Sequence, residues 1–246
     1  MRVEFSNVTI GIRNLPQAFD GFRIGHITAT HLGTYVSTRS LTRHTDPVNR
    51  VGVDAAVFTG DLISRNPRRV RDAARILGKV EAPWGHYAVP GNHDYVAGIE
   101  AFRREMSHAG YRVLVNEHLR LEKDGQRIVM AGVDDSWQGA PDHRKALEGV
   151  DSVAETVVML VHVPDYLPLL SGTGVDLVLC GHTHGGQVWL PFFGPPIVPS
   201  AFGKDYARGL IEHHDMQMYV SRGVGHMLWL RLNCRPELPI ITLRRV

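Results

Sequence analysis

Five short apolar runs, each broken off by a polar motif, constrain this chain more than any other feature. The run at 22–27 leads into Ala29-Thr30-His31, the run at 55–59 into Gly60-Asp61, and the run at 85–89 into Gly91-Asn92-His93-Asp94. The run at 157–161 leads into His162, and the run at 176–180 into Gly181-His182-Thr183-His184-Gly185-Gly186. Apolar stretches of this length and composition read as strands. Each motif then lies in the loop at a strand's C-terminal end, where open α/β sheets place their ligands.

Helical patterns fall between the runs. Asn66-Pro67 reads as an N-cap followed by proline at the first helical position, with the helix running to about Leu77 and Gly78 near its end. A second helix is expected over 99–108, stopped by Gly110, and a third over 38–48, interrupted at Pro47. The later half looks more antiparallel. Runs at 119–122 and 127–131 flank Lys123-Asp124-Gly125-Gln126, whose Asp-Gly pair signals a hairpin. Runs at 209–212 and 216–220 flank His213-His214-Asp215 in the same way, and 240–243 reads as a last strand. With no repeat, low-complexity stretch or linker, residues 1–246 are expected to form one mixed α/β domain with a two-sheet core and helices outside.

Bulk composition excludes several classes. Net charge is only +2, so a dedicated nucleic-acid binder is not indicated. The arginines from Arg65 to Arg75 read as a solvated helix face, or alternatively as a patch for an anionic substrate or a membrane. Two cysteines are too few for a disulfide framework, and Cys180 ends an apolar run as a buried strand residue would. No apolar run approaches the ~18 residues needed to span a bilayer. The expected setting is the cytoplasm, with peripheral membrane contact and a preceding anchor left open. The unusual number is histidine, 14 of 246 residues, because imidazole is the commonest metal ligand.

Taken singly the motifs are modest: a lone strand-end histidine is more often structural than functional. Together and in this order, each after an expected strand, they resemble the calcineurin-like metallophosphoesterase superfamily, over about 22–243. The run from Gly181 to Gln187, with Ser221-Arg222-Gly223-Val224-Gly225 and Pro236-Glu237, is similar to one bacterial branch in particular. Some members of that branch resemble UDP-2,3-diacylglucosamine hydrolases, and others are membrane-anchored phosphoesterases.

The resemblance implies a four-layer α/β/β/α sandwich of two mixed sheets and a dinuclear centre. His31, Asp61 and His184 would hold the first metal. Asp61 would bridge to the second, completed by Asn92, His162 and His182. His93 would lie near the substrate phosphate, stabilising the transition state or protonating the leaving group. The residue types suit the chemistry: two cations clamp phosphate oxygens and lower the pKa of a shared water, and an aspartate can bridge them. Imidazole with carboxylate suits manganese, iron or zinc. The expected substrate is a small phosphodiester or a nucleotide- or lipid-linked pyrophosphate. A nuclease-type phosphodiesterase and a catalytically dead metal- or ligand-binding scaffold are the alternatives.

One position departs from the family pattern. Its first motif begins with aspartate, and here Ala29 stands there. Either an active site has lost one ligand, or the chain has diverged toward a one-metal or non-catalytic protein. The first reading is favoured because every other motif residue is present. The first metal site is therefore expected to be weak and turnover low.

The other histidines are expected mostly on the surface or in turns, with His226 a candidate to approach the site. The stretch 190–202, rich in proline and phenylalanine, has two readings. One is a rigid loop packed on its own rings. The other is an apolar rim for a lipid or aromatic leaving group, extended by Trp189, Met227, Leu228 and Trp229.

Overall fold

The computed structural model describes residues 2–33 and 35–246. Two six-stranded sheets form its centre. The first contains β1 (Glu4–Ile12), β2 (Arg23–Ile27), β3 (Ala55–Thr59), β4 (His86–Val89), β5 (Tyr111–Val113) and β12 (Glu237–Arg245), in the order β1-β12-β2-β3-β4-β5. The second contains β6 (Glu117–Lys123), β7 (Gln126–Gly132), β8 (Thr156–Leu160), β9 (Leu177–Cys180), β10 (Gly209–His213) and β11 (Met216–Val220), in the order β10-β11-β9-β8-β7-β6. Both are mixed. β2 to β5 run parallel while β12 pairs antiparallel with β2. β7, β8, β9 and β11 run parallel, bordered by the antiparallel β6 and β10.

The central strands are continuous apolar runs because both of their faces are buried. In β3, Ala55 and Val57 face the second sheet, while Ala56 and Phe58 face helices. In β8, Val158 and Leu160 face the first sheet, while Val157 and Met159 face outward. The outer face of the first sheet is covered by α1 (Thr38–Thr45), α3 (Val70–Leu77) and α5 (Ile99–His108), through Leu41, Leu77, Phe102 and Met106. The outer face of the second carries a thinner cover, α6 (His143–Ala146) and the 3-10 segment Pro164–Leu170. These are the expected α/β/β/α layers.

Pro47 does interrupt its helix: α1 ends at Thr45 and a short α2 (Pro47–Val51) restarts with the proline in its first turn. Both hairpins form, and the first turns through Asp124 and Gly125 at positive φ (50° and 72°). The sequence reading missed β1 and β5. β1 lies at a sheet edge with most side chains partly exposed, so it lacks an apolar run, and β5 is only three residues long. A further difference is α4 (Asn92–Ala97): Asn92 and His93 open a helix instead of sitting in a loop.

Candidate metal centre

The loops after β2, β3, β4, β8 and β9 converge. His31 Nε2 lies 3.0 Å from His184 Nε2 and 3.3 Å from Asp61 Oδ2. The same Asp61 Oδ2 lies 3.3 Å from His162 Nε2. His162 Nε2 is in turn 3.1 Å from His182 Nδ1 and 3.2 Å from Asn92 Oδ1. All six residues named for the two metals are thus together, as two groups sharing one carboxylate oxygen. His93 brings an imidazole nitrogen within 4.8 Å of ligand atoms of His31 and Asp61.

These spacings fit a coordinated cation. Metal–nitrogen bonds of about 2.0–2.1 Å put neighbouring ligand atoms roughly 3 Å apart. One imidazole is held with its lone pair inward by a hydrogen bond on its outer side. His162 Nδ1–H donates to the Thr59 carbonyl (2.7 Å), which leaves Nε2 for the centre. On His31 and His182 the centre-facing nitrogens are Nε2 and Nδ1, and the opposite ring nitrogens, Nδ1 and Nε2, are buried without a hydrogen-bond partner.

The electrostatics favour neutral imidazoles at His31, His182 and His184 beside an ionised Asp61, and a protonated His162 whose proton a cation would have to displace. Burial pushes His31 and His184 below the usual histidine range and His182 down to about 3. Burial opposes charge on His162 too, but the Asp61 carboxylate outweighs it and raises His162 to about 9. Burial likewise opposes ionisation of Asp61, yet His162 and His31 hold it well below the carboxylate range.

The backbone explains why the motifs carry glycine. A Cβ on Gly60 would lie 2.5 Å from His162 Nδ1 and 2.6 Å from the Gly91 nitrogen. The strand-end loops are stacked that closely. Several ligand positions also take the left-handed conformation: His31 (φ 45°), Asp61 (63°), His182 (65°) and His184 (53°). Ala29 takes it as well, at φ 49°, and is buried. Its N–H donates to Gly60 O (2.9 Å), and its carbonyl accepts from Gly225 N–H (2.9 Å). Aspartate visits this conformation more readily than alanine, for which it costs roughly 1 kcal/mol. Position 29 therefore shares the backbone conformation of His31 and Asp61, with a side chain that carries no donor atom.

Three residues of the site carried no role in the sequence reading. Asp94 accepts from the N–H groups of Asp61 (2.8 Å), Leu62 (2.9 Å) and Gly91 (2.9 Å), tying two motif loops together. Burial and the Asp61 charge push it up to about 7, against those donors. Arg231 is buried; it donates to the carbonyls of Gly225 (2.7 Å), Arg222 (2.7 Å) and His184 (3.2 Å), with Nη2 3.1 Å from His184 Nδ1. A lone cation inside the apolar stretch at 227–232 was the available signal. Trp137 packs edge-on against His182, with ring centroids 4.3 Å apart. It follows β7, whose polar end at Asp134-Asp135 was a sixth strand-end motif.

The centre opens into a cleft of about 290 Å³, lined by Asp61, Asn92, His93, His182 and His184 and by the apolar Trp137, Ile197, Pro199, Met227 and Leu228. His226 is not in that lining; it is half-buried, and burial pushes it down to about 4. His26 and His44 are buried, contrary to the surface reading. Phe192 and Phe193 are 104% and 81% exposed, so the proline-rich loop is not packed on its own rings.

Residues 22–186 match the calcineurin-like phosphoesterase family. The metallophosphoesterase YkuE of Bacillus subtilis is 35% identical over 248 residues, 98% of this chain and 86% of that protein. Phosphodiesterase YaeI of Escherichia coli is 35% identical over 160 residues, 64% of this chain and 57% of its own length. The crystal structure of TT1561 from Thermus thermophilus shares the fold, with a TM-score of 0.53 at 16% identity, covering 83% of this chain and 89% of that one. The match across most of the chain, with the converging histidines and aspartate, makes this protein a member of the calcineurin-like phosphoesterase family, a metal-dependent phosphoric ester hydrolase.

Proposed function

We propose that this chain hydrolyses a phosphodiester or pyrophosphate with water activated between two metal ions, and that Ala29 lowers its turnover. One observation carries the reading: a single Asp61 oxygen stands 3.3 Å from an imidazole of each histidine group. His31, Asp61 and His184 would hold one ion, and Asp61, Asn92, His162 and His182 the other. When bound, the ions neutralise the phosphate and supply hydroxide at neutral pH.

The chain's own residues do the rest. His93 Nδ1–H donates to Ser64 O (2.7 Å), and its backbone N–H donates to Asp61 Oδ1 (2.9 Å). The ring is thereby fixed at the cleft wall with Nε2 free. An N–H at that Nε2 would donate to a phosphate oxygen or to the departing oxygen. Trp137, Met227 and Leu228 line the same cleft, where they exclude water and offer contact to an apolar group next to the phosphate. The name of the Escherichia coli relative, a phosphodiesterase, supports the diester class.

Metal content and turnover of an aryl phosphodiester with manganese, for this chain and for Ala29→Asp, test the reading. The variant should bind a second equivalent of metal and gain about 100-fold or more in turnover, since even an outer-shell partner is worth 10–100-fold. A variant that holds two ions and stays inactive would leave a binding scaffold. Metal occupancy equal to the parent's would remove position 29 from the ligand set.

A further inference from the structure

The exposed face beside the cleft is built unlike the rest of the surface. Between Gly186 and Gly203, and again between Gly223 and Leu230, there is no Asp, Glu, Lys or Arg. Phe192 is 104% exposed, Phe193 81%, Ile197 78% and Trp229 77%. Single exposed apolar residues are ordinary, but a contiguous set of large ones marks a contact surface.

The face is also rigidly held. Leu190 and Gly194 exchange two backbone hydrogen bonds of 2.9 Å, closing a narrow turn with Pro191, Phe192 and Phe193 at its tip. Gln187 joins this segment to the second one. Its Oε1 accepts from Met227 N–H (2.6 Å) and Leu228 N–H (3.2 Å), and its Nε2 donates to Leu230 O (3.0 Å). Trp189 N–H donates to Leu232 O (2.8 Å), and Leu232 N–H to Gln187 O (2.9 Å). The rings are thus held outward by polar bonds beneath them.

Charge borders the face on both sides. Arg208 stacks on Trp189 at 3.6 Å, and Lys204 and Arg235 are exposed nearby in sequence, against two carboxylates, exposed Asp205 and partly buried Asp165, the latter taken up by Ser200 Oγ–H (2.5 Å) and Ala201 N–H (2.7 Å). Across the cleft, Ser64, whose carbonyl holds His93, is followed by exposed Arg65 and Arg68. Neither arginine has an ion pair among the described residues.

We propose that this face docks the protein on an anionic lipid bilayer, with Phe192, Phe193 and Trp229 entering the interface and the flanking cations meeting the headgroups. A bilayer accepts a protruding aromatic tip without shape complementarity. Aromatic rings bordered by Arg and Lys are the composition that settles at the headgroup level. Because Met227, Leu228 and Ile197 belong both to this face and to the cleft wall, docking turns the cleft toward the membrane surface. Docking needs no metal and is independent of the hydrolytic reading.

Vesicle sedimentation of the full chain tests it, using phosphatidylcholine vesicles with and without phosphatidylglycerol. Binding is expected with the anionic vesicles, weaker at high salt, with a blue shift of tryptophan fluorescence. Phe192→Ser/Phe193→Ser should lose about tenfold or more of the binding, with an unchanged melting temperature. Trp229→Ser should lose both binding and most of the blue shift. In the Ala29→Asp background, the double variant should cleave a water-soluble aryl phosphodiester at the parent rate. Absence of binding to any vesicle, or equal binding by parent and double variant, overturns the proposal. So does concentration-dependent self-association that the double variant abolishes without vesicle binding; that result gives the face to a second copy. Failure of hydrolysis would leave the vesicle result standing.

Discussion

The floor of the cleft and its rim are built on opposite principles. The floor is made of strand ends: His31, Asp61, His162 and His184 are almost wholly buried, and backbone bonds between loops hold them. The rim is made of two irregular segments whose largest side chains face outward. In the floor, charge and imidazole replace apolar packing at the place where packing is tightest. In the rim, apolar rings stand where charge would be ordinary. Stability and chemistry should therefore separate cleanly between the two.

The largest effect is expected from Asp61→Asn, which removes the shared anionic oxygen from both histidine groups. Measured in the Ala29→Asp background, turnover should fall by more than about 100-fold and bound metal should drop below one equivalent. Asp94→Ala comes next and acts through the backbone. It strands three buried N–H groups, two of them on the Asp61 loop. A loss of roughly 3 kcal/mol in denaturant unfolding is expected, with weaker metal binding. Asp94→Asn, which keeps an acceptor oxygen, should recover part of both. If Asp94→Ala melts like the parent, the floor is not held as described.

The difference between floor and rim also explains what could be read from sequence. The floor was legible because a buried strand announces itself as an apolar run, and each run was cut short by a residue that has no reason to be buried except chemistry. All seven predicted site residues lie in or beside one cleft for that reason. Asp94 sat inside a recognised motif, but two of its three partners are backbone N–H groups of a loop 32 and 33 residues away, which no pattern reports. Arg231 comes from a segment with no strand-end signature of its own, and Trp137 follows a strand-end pair, Asp134-Asp135, to which the sequence pattern attached no role. The rim's composition was visible, yet its orientation was not: a Pro- and Phe-rich loop packs inward or points outward according to a few polar bonds, here those of Gln187. The edge strand β1 was missed because its pairing with β12 is set by the sheet and not by its own residues.

A pH experiment sharpens the floor side. His26, in β2 below the cleft, is buried, and burial pushes it from 6.5 down to about 3. The unfolded chain takes up this proton near pH 6.5, whereas the folded chain resists until about pH 3. Its contribution is complete above pH 6.5 and is lost progressively as pH falls toward 3. His26→Gln should lower stability at neutral pH, by the lost bond to Thr59 Oγ1, and flatten the decline of melting temperature below pH 6.5. An equally steep decline in the variant would assign the acid sensitivity to other groups.

The smallest effect is expected from the rim. Phe193 is 81% exposed, so Phe193→Ser removes almost no buried area, and ordinary surface changes stay within about 0.5 kcal/mol. Melting temperature, metal content and turnover on a soluble aryl phosphodiester should all match the parent. The near-zero result is informative because a phenylalanine is so costly to remove from a core, where truncation loses about 3–5 kcal/mol. A drop of that size would mean that the tip folds inward in solution, and the contrast between a packed floor and an outward-facing rim would collapse. An unchanged protein would leave solvent exposure of a large ring with no structural return within the chain, and would direct the search for its purpose to whatever the cleft faces.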